Sequence, residues 1–238
     1  MEPAKKTTAS SNSDELLFKE LETLNQKANS SKCPQELKDR LLQMVERLNR
    51  MARLGSYSGE YETVSRYVSV ATSIPWGTYT EDVLSLEKTK DVLDKNHYGL
   101  PLVKERVLQY LASRKLLIER GKANDEVARA PILCFVGLQG IGKTTMAHSI
   151  AEALGRQFIR VSLGAVGSVL ELRGQSKAFS DAEPGQIIKS LIRTKAMNPL
   201  ILLDEMDKVS GEMGLRADVM AALLEILDPE QNTSFRDH

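Results

Sequence analysis

The sequence predicts an α/β protein in which a helical N-terminal segment precedes a three-layer domain with a parallel sheet. Up to Ile74, apolar residues recur at helical spacing. Beyond residue 131, short apolar runs alternate with segments of helical spacing, a pattern typical of parallel strands covered by helices. A glycine-rich loop, 137–145, joins the first of these runs to the helix that follows it.

The composition is that of an ordinary soluble globular protein. Of 238 residues, 27% are charged and 42% are hydrophobic, and the formal net charge is zero. Charge therefore gives no support for a nucleic-acid or acidic-membrane partner. Two cysteines, Cys33 and Cys134, and three histidines disfavour a disulfide framework or a zinc site, so we expect a reducing compartment, the cytoplasm. The sequence has no apolar run near the roughly 20 residues of a membrane span.

The N-terminal third predicts a tail and three helices. Residues 1–13 are polar and lack the apolar core of a secretion signal, so we expect a disordered tail. Helical stripes cover 14–28, 34–53 and 60–74. We expect the first two helices to pack on each other as a hairpin or coiled-coil-like pair, and a partner-binding groove is the alternative.

The third helix is expected to end at Pro75-Trp76-Gly77, because proline cannot continue a helix. The single tryptophan of the chain lies in this turn and is expected to anchor packing between layers. We place the main boundary here, so that 14–77 is the helical segment and 78–238 the α/β part. Ser85 predicts a helix N-cap, and a long helix is expected over 102–120.

The second half of the chain alternates strands and helices. The predicted strands are 132–136, 157–163 and 200–203, and the predicted helices are 146–154, 184–197 and 214–227, with a short helical turn at 168–172. We expect the first strand to be buried, and the third is apolar enough for burial on both faces, as in a parallel sheet.

The glycine-rich loop has the G-x-x-x-x-G-K-[ST] spacing of a phosphate-binding P-loop. Glycines let backbone N–H groups surround an anion, and the following helix adds its positive N-terminus. Lys143 is expected to reach the terminal phosphates of a nucleotide, and the Thr144 hydroxyl to bind Mg²⁺. A glycine-rich turn with a chance lysine is the alternative, which the flanking strand and helix disfavour. The candidate nucleotide-binding residues of the loop are Gly137, Gly140, Gly142, Lys143, Thr144 and Thr145.

Two acidic residues, Asp204 and Glu205, end the third predicted strand. An aspartate at the carboxyl end of a parallel strand can hold Mg²⁺ directly or through water. An adjacent carboxylate can polarise the water that attacks a γ-phosphate. We therefore expect ATP and Mg²⁺ as cofactors, Thr144 and Asp204 as metal ligands and Glu205 as the catalytic residue. A surface-exposed acidic strand end is the alternative.

Several stretches together carry a resemblance to a known family. In chain order they are Pro75-Trp76-Gly77, Asp94–Leu100, Pro131–Cys134, the P-loop, Leu202–Lys208 and Leu223–Asn232. From about Glu15 to His238, the chain resembles the Lon family of ATP-dependent proteases in the AAA+ superfamily. This resemblance implies an ATP-driven unfoldase, usually a hexameric ring, that pulls unfolded or damaged proteins through a central pore. It also implies a Ser–Lys serine protease that serves protein quality control.

The resemblance implies further site residues. His97 and Tyr98 lie where such proteins line the adenine pocket. Residues 173–185 correspond to the pore loop, in which Phe179 would grip the substrate; a partly buried loop phenylalanine is the alternative. The chain departs from the family at Leu138-Gln139, where two prolines are common, and at 164–169 and 180–183. Core ATP chemistry is expected to survive these changes, which act on substrate grip.

The resemblance also implies parts that would follow His238, namely a sensor-1 strand, a helical lid, an arginine finger and the protease domain. We therefore expect an incomplete AAA+ domain with unpaired strand edges, from a fragment or truncated gene product that binds ATP but hydrolyses little of it alone. One alternative is a truncated, non-proteolytic homologue that binds nucleotide or joins the ring of a longer partner. Another is a nucleic-acid-remodelling AAA+ ATPase, which the zero net charge disfavours.

Overall fold

The computed structural model describes residues 9–54, 59–121, 132–176, 179, 182–209, 213–232 and 234–237. The helices of these residues are α1 (Ala9–Ser30), α2 (Gln35–Arg53), α3 (Gly59–Ser73), α4 (Leu86–Asn96), α5 (Pro101–Glu119), α6 (Lys143–Leu154), α7 (Val169–Arg173), α8 (Gln186–Thr194) and α9 (Met213–Leu227). The strands are β1 (Phe158–Ser162) and β2 (Leu200–Asp204), and single 3₁₀ turns cover Leu163–Ala165 and Met206–Lys208.

Helices α1, α2 and α3 pack on one another. Their core includes Leu24, Leu41 and Val68, which are at most 4% exposed. Trp76 packs against this core, and its indole N–H donates to the carbonyl of Ala71 at 2.8 Å. The mutual packing predicted for the first two helices is therefore confirmed. Trp76 packs on this one core, and its predicted role between layers stays a prediction.

The start of α1 differs from the sequence prediction. Residues 1–8 lie outside the described residues, whereas 9–13, which were expected in a disordered tail, belong to α1. Leu21 and Leu24 are buried against the neighbouring helices and so hold the helix in place. Once such a helix is nucleated, each further residue adds a hydrogen bond at small entropic cost, so it extends beyond its packed part.

A connector at 78–83 joins these helices to the α/β part. The backbone N–H of Met197 donates to the carbonyl of Thr78 at 2.8 Å, and the carboxylate of Asp82 accepts two hydrogen bonds of 2.6 Å from Arg156. At the end of this connector, the Ser85 hydroxyl accepts from the backbone N–H of Lys88, which confirms the predicted N-cap of α4.

The sheet of the described residues has two parallel strands, β1 and β2, in a register that pairs Phe158 with Leu200 and Ser162 with Asp204. Helices α7 and α9 contribute Leu172 and Leu223 to the apolar core beside this sheet. Helix α6 contacts both strands as well. The predicted parallel sheet is thus confirmed for its second and third strands.

The first predicted strand has a different environment. Residues 132–136 are not part of the described sheet. Ile132 and Val136 are 59% and 90% exposed, whereas Leu133 and Phe135 pack against the core formed by α4, α5 and α6. The expectation of a buried strand is therefore wrong: 132–136 form no strand and are partly buried on one face only. Within the described part of the chain, no strand pairs with this segment and no element covers its other face.

None of the described helices combines the length and the apolar content that crossing a membrane requires.

Candidate nucleotide-binding site

The glycine-rich loop leads directly into helix α6. Gly140 and Gly142 have φ angles of 80° and 90°, which side chains with a Cβ atom rarely adopt. The Lys143 ammonium folds back over the loop and donates to the carbonyls of Gly137 and Leu138 at 2.8 and 2.7 Å. The loop therefore turns sharply, and its cationic group lies against the loop backbone next to the N-terminus of α6.

The metal-binding residues predicted from the sequence come together in space. The Thr144 hydroxyl donates to Oδ2 of Asp204 at 3.2 Å, although the two residues are 60 positions apart. The other carboxylate oxygen of Asp204 accepts the backbone N–H of Glu205 at 2.9 Å. A hydroxyl and a carboxylate are hard oxygen donors of the kind that Mg²⁺ prefers, so these residues fit that cation.

The Glu205 carboxylate is held from two sides. It accepts hydrogen bonds from the hydroxyl of Ser162 at 2.9 Å and from the ammonium of Lys208 at 3.0 Å. The Lys208 hydrogen bond, followed by that of Ser162, lowers the pKa of Glu205 below its ordinary value. A Cβ atom at Gly164 would lie 3.0 Å from this carboxylate, so a larger residue there would crowd it. The Glu205 carboxylate is therefore ionised at neutral pH and held in place by two neighbours.

Sequence reasoning missed the groups that surround the two acids. The Arg160 guanidinium lies 2.8 Å from Oδ2 of Asp204 and 3.7 Å from Oε1 of Glu205, and Ser162 and Lys208 contact Glu205. The sequence contained one indication. Arg160 and Ser162 lie two positions apart in β1, so their side chains are on the same face of the sheet. A parallel register with β2 would bring that face to Asp204.

Comparison with known proteins agrees with this geometry. Residues 133–236 match the family described as "ATPase family associated with various cellular activities (AAA)". The chain is 49% identical to Lon protease 2 of Thermus thermophilus over 82% of its own length and 25% of that protein. It is 42% identical to a Lon protease of Roseiflexus castenholzii and 41% identical to Lon protease 1 of Bacillus subtilis, over 92% of this chain and 26% and 27% of those proteins.

Over most of its own length, the chain is a relative of the Lon proteases. This confirms the resemblance read from the sequence and the incomplete α/β P-loop domain it predicted. An AAA domain implies nucleotide binding, which agrees with the loop and the two acids described above. The chain spans about a quarter of the length of the Lon proteases it matches.

His97 and Tyr98, which the resemblance to Lon proteases places near adenine, have different environments. His97 is buried, and its Nε2 lies 2.9 Å from the hydroxyl of Ser149 on α6. The neighbouring Asn96 amide donates to the same hydroxyl at 3.1 Å and to the carboxylate of Glu152 at 3.1 Å. Tyr98 is fully exposed. Of the two, His97 contacts the helix that carries the phosphate loop, and the adenine roles of both stay predictions.

Phe179, which the resemblance to Lon proteases places in the pore loop, is 61% exposed. This exposure disfavours the alternative of a partly buried loop phenylalanine. Residues 177–178 and 180–181 lie outside the described residues. Nearby, the backbone N–H of Gly185 donates to the Asp237 carboxylate at 2.9 Å. A Cβ atom at Gly185 would lie 2.1 Å from the carbonyl of Leu172. The base of this loop is therefore tightly packed, a feature that no sequence motif indicated.

Proposed function

We propose that this chain is the ATP-binding and ATP-hydrolysing motor part of a Lon-like protease that unfolds and translocates protein substrates. The observation that carries the proposal is the 3.2 Å contact between Thr144 and Asp204, beside a lysine that already lies over the phosphate loop. The names of the relatives support the link to a protease. In such a protein the catalytic Ser–Lys pair would belong to a part outside this chain.

Each residue of the site has a role in this proposal. The loop N–H groups and Lys143 bind the terminal phosphates of ATP, and Thr144 and Asp204 would hold Mg²⁺. The cation, when bound, neutralises charge that develops on the transferred phosphoryl group. Glu205 orients the attacking water and accepts its proton, and its contacts with Ser162 and Lys208 hold the carboxylate in place.

The same proposal assigns the remaining parts of the chain. Residues 14–77 are the helical end of an N-terminal region and 78–238 the ATPase domain, a division supported by the separate packing of α1, α2 and α3. His97 and Tyr98 lie beside adenine, and Phe179 contacts the translocating substrate. The working protein is a homo-oligomeric ring, hexameric as in the family, that acts on unfolded or damaged proteins in the cytoplasm.

Nucleotide binding tests the core of this proposal. Lys143→Ala is expected to weaken binding of a fluorescent ATP analogue about 10- to 100-fold, since hydrogen bonds to charged groups are worth about 1.5–3 kcal/mol. Lys88→Ala removes an exposed lysine of α4 and serves as the control, with unchanged affinity. Equal affinity of the Lys143 variant and the native chain would refute the assignment of the loop.

A further inference from the structure

Both oxygens of the Asp204 carboxylate have partners within the protein. Its Oδ1 accepts the Glu205 backbone N–H at 2.9 Å. Its Oδ2 accepts the Thr144 hydroxyl at 3.2 Å and lies 2.8 Å from Nε of Arg160. Each carboxylate oxygen offers about two acceptor positions, and at Oδ2 the Thr144 hydroxyl uses one while the Arg160 guanidinium lies against the same oxygen. A cation that approaches Oδ2 therefore competes with these two partners.

The two partners differ in what they can do. The Thr144 hydroxyl can keep its proton on Asp204 while a lone pair of its oxygen faces a cation. The Arg160 guanidinium has no lone pair to offer and carries a positive charge. It therefore competes with a dication for the same carboxylate oxygen and also repels it. Thr144 is compatible with Mg²⁺ at this position, and Arg160 is not.

The charges around the acids are already balanced without a metal ion. Asp204 and Glu205 supply two negative charges, and Arg160 and Lys208 supply two positive charges at 2.8 and 3.0 Å. Two carboxylates left unpaired side by side would repel each other, so these cations stabilise the strand end. When a dication joins this group, the two carboxylates no longer need both protein cations as counter-ions.

The Arg160 guanidinium is exposed enough to move away from the Asp204 carboxylate. Its side chain is 47% exposed, whereas that of Asp204 is 18% exposed. Half-exposed ion pairs are weak, because water replaces the partner at little cost. Arg160 lies within β1, opposite Leu202 of β2, so its backbone is fixed by the sheet while its guanidinium can move into solvent.

We propose that Arg160 is a counter-ion that holds Asp204 until Mg²⁺ arrives with the nucleotide and then yields the carboxylate to it. Arg160 is thus a positioning residue that sets the Mg²⁺ concentration at which the nucleotide site fills. The proposal rests on the proposed function, because it takes 137–145 and Asp204 as the nucleotide and metal site.

The test is the Mg²⁺ concentration at which binding of a fluorescent, non-hydrolysable ATP analogue is half-maximal. Arg160→Gln is expected to lower this concentration about two- to fivefold, the range that the loss of one half-exposed ion pair allows. Affinity for the analogue at saturating Mg²⁺ stays close to that of the native chain. A merely structural role for Arg160 would weaken binding at every Mg²⁺ concentration instead. Arg160→Met keeps the aliphatic stem and should give the same lowering if the Gln variant does not fold.

A matched charge deletion completes the test. Lys208→Gln removes the same charge beside the same acids, but its partner is Glu205, so the expected shift is clearly smaller. Equal shifts in the two variants would reveal a general electrostatic effect and overturn the proposal, as would an unchanged or raised Mg²⁺ requirement in the Arg160 variants. If the native chain binds no analogue even at saturating Mg²⁺, the nucleotide site itself is refuted and the role of Arg160 with it.

Discussion

The two halves of the candidate site are supported in different ways. The acidic half, Asp204 and Glu205, ends a strand that pairs with its neighbour from Phe158–Leu200 to Ser162–Asp204. The phosphate half, the loop 137–145, follows residues 132–136, which are not part of this sheet and expose one face. Sheet pairing therefore fixes the acids, whereas it does not fix the loop.

The phosphate half is supported from its other end, through helix α6. Met146 and Ile150 of this helix are buried against Leu93 of α4. Beyond the helix, Arg156 is bound by the carboxylate of Asp82. The position of the loop therefore depends on helix packing. A mutation that weakens the α4–α6 contact should perturb the phosphate loop more than it perturbs the acids.

The largest expected effect comes from Leu93→Ala. Leu93 is fully buried, and its truncation should lower the free energy of unfolding by about 2–5 kcal/mol because it leaves a cavity beneath α6. Chemical denaturation followed by circular dichroism measures this change.

Leu223→Ala is the matched control, because Leu223 is also buried but lies in the core beside β1 and β2. Both variants should lose stability. Hydrogen exchange of the amides of 146–149, the first hydrogen-bonded turn of α6 after the loop, should rise more in the Leu93 variant. Equal exchange in the two variants would mean that helix packing does not hold the loop.

A smaller loss is expected from Arg156→Met. The hydrogen bonds from Arg156 to Asp82 are 2.6 Å long, both side chains are 16% exposed, and this pairing raises the pKa of Arg156. Leaving Asp82 without its partner should lower the free energy of unfolding by about 1–3 kcal/mol. Arg193→Met, at an exposed position of α8, should change it little; a similar loss in both variants would argue against a specific role of the pair.

Helix bodies could be predicted from the sequence, but some helix ends could not. The stripe containing Leu41 and Leu48 predicts the end of α2 at Arg53, where the structure also places it. Periodicity predicts a helix over 184–197, whereas α8 covers Gln186–Thr194. Its ends are set by distant partners, since the N–H of Gly185 binds Asp237 and that of Met197 binds Thr78. Local sequence contains no information about such contacts.

The site shows the same division. Lys143, Thr144, Asp204 and Glu205 could be found because glycine spacing and an acidic strand end are local patterns, and the structure brings Thr144 to Asp204. Arg160 could not be assigned with the same certainty, because alternation places it on one face with Ser162 but does not say which residues of another strand lie beside that face. Its contact with Asp204 exists through the register of two strands some 40 residues apart in the chain, and register is a property of the folded sheet.

The phosphate loop itself should respond to Gly142→Ala. Gly142 has a φ of 90°, and an added Cβ would lie 3.1 Å from the hydroxyl of Thr145. A left-handed conformation costs a residue with a Cβ about 1–2 kcal/mol, and this cost should appear as reduced stability or as a rearranged loop with weaker nucleotide binding. Gly59→Ala has open space and no positive φ, so it should leave both properties unchanged. If the two variants behave alike, the loop does not need its left-handed turn.

The smallest expected effect lies in the acidic half and concerns pH. The hydrogen bond from Lys208 lowers the pKa of Glu205 below its ordinary value of 4.5. A lowered carboxyl pKa stabilises the folded state above that ordinary value, and this contribution is lost as the pH falls through the lowered pKa. Lys208→Gln should therefore raise the pKa of Glu205, so that this contribution becomes smaller and its loss is complete at a higher pH. Carbon-13 NMR titration of the Glu205 carboxyl without Mg²⁺ measures the shift. Because Ser162 still donates to this carboxylate, the pKa should stay below 4.5. A full return to 4.5 would show that the strand contributes nothing and that the acidic half depends on one exposed lysine.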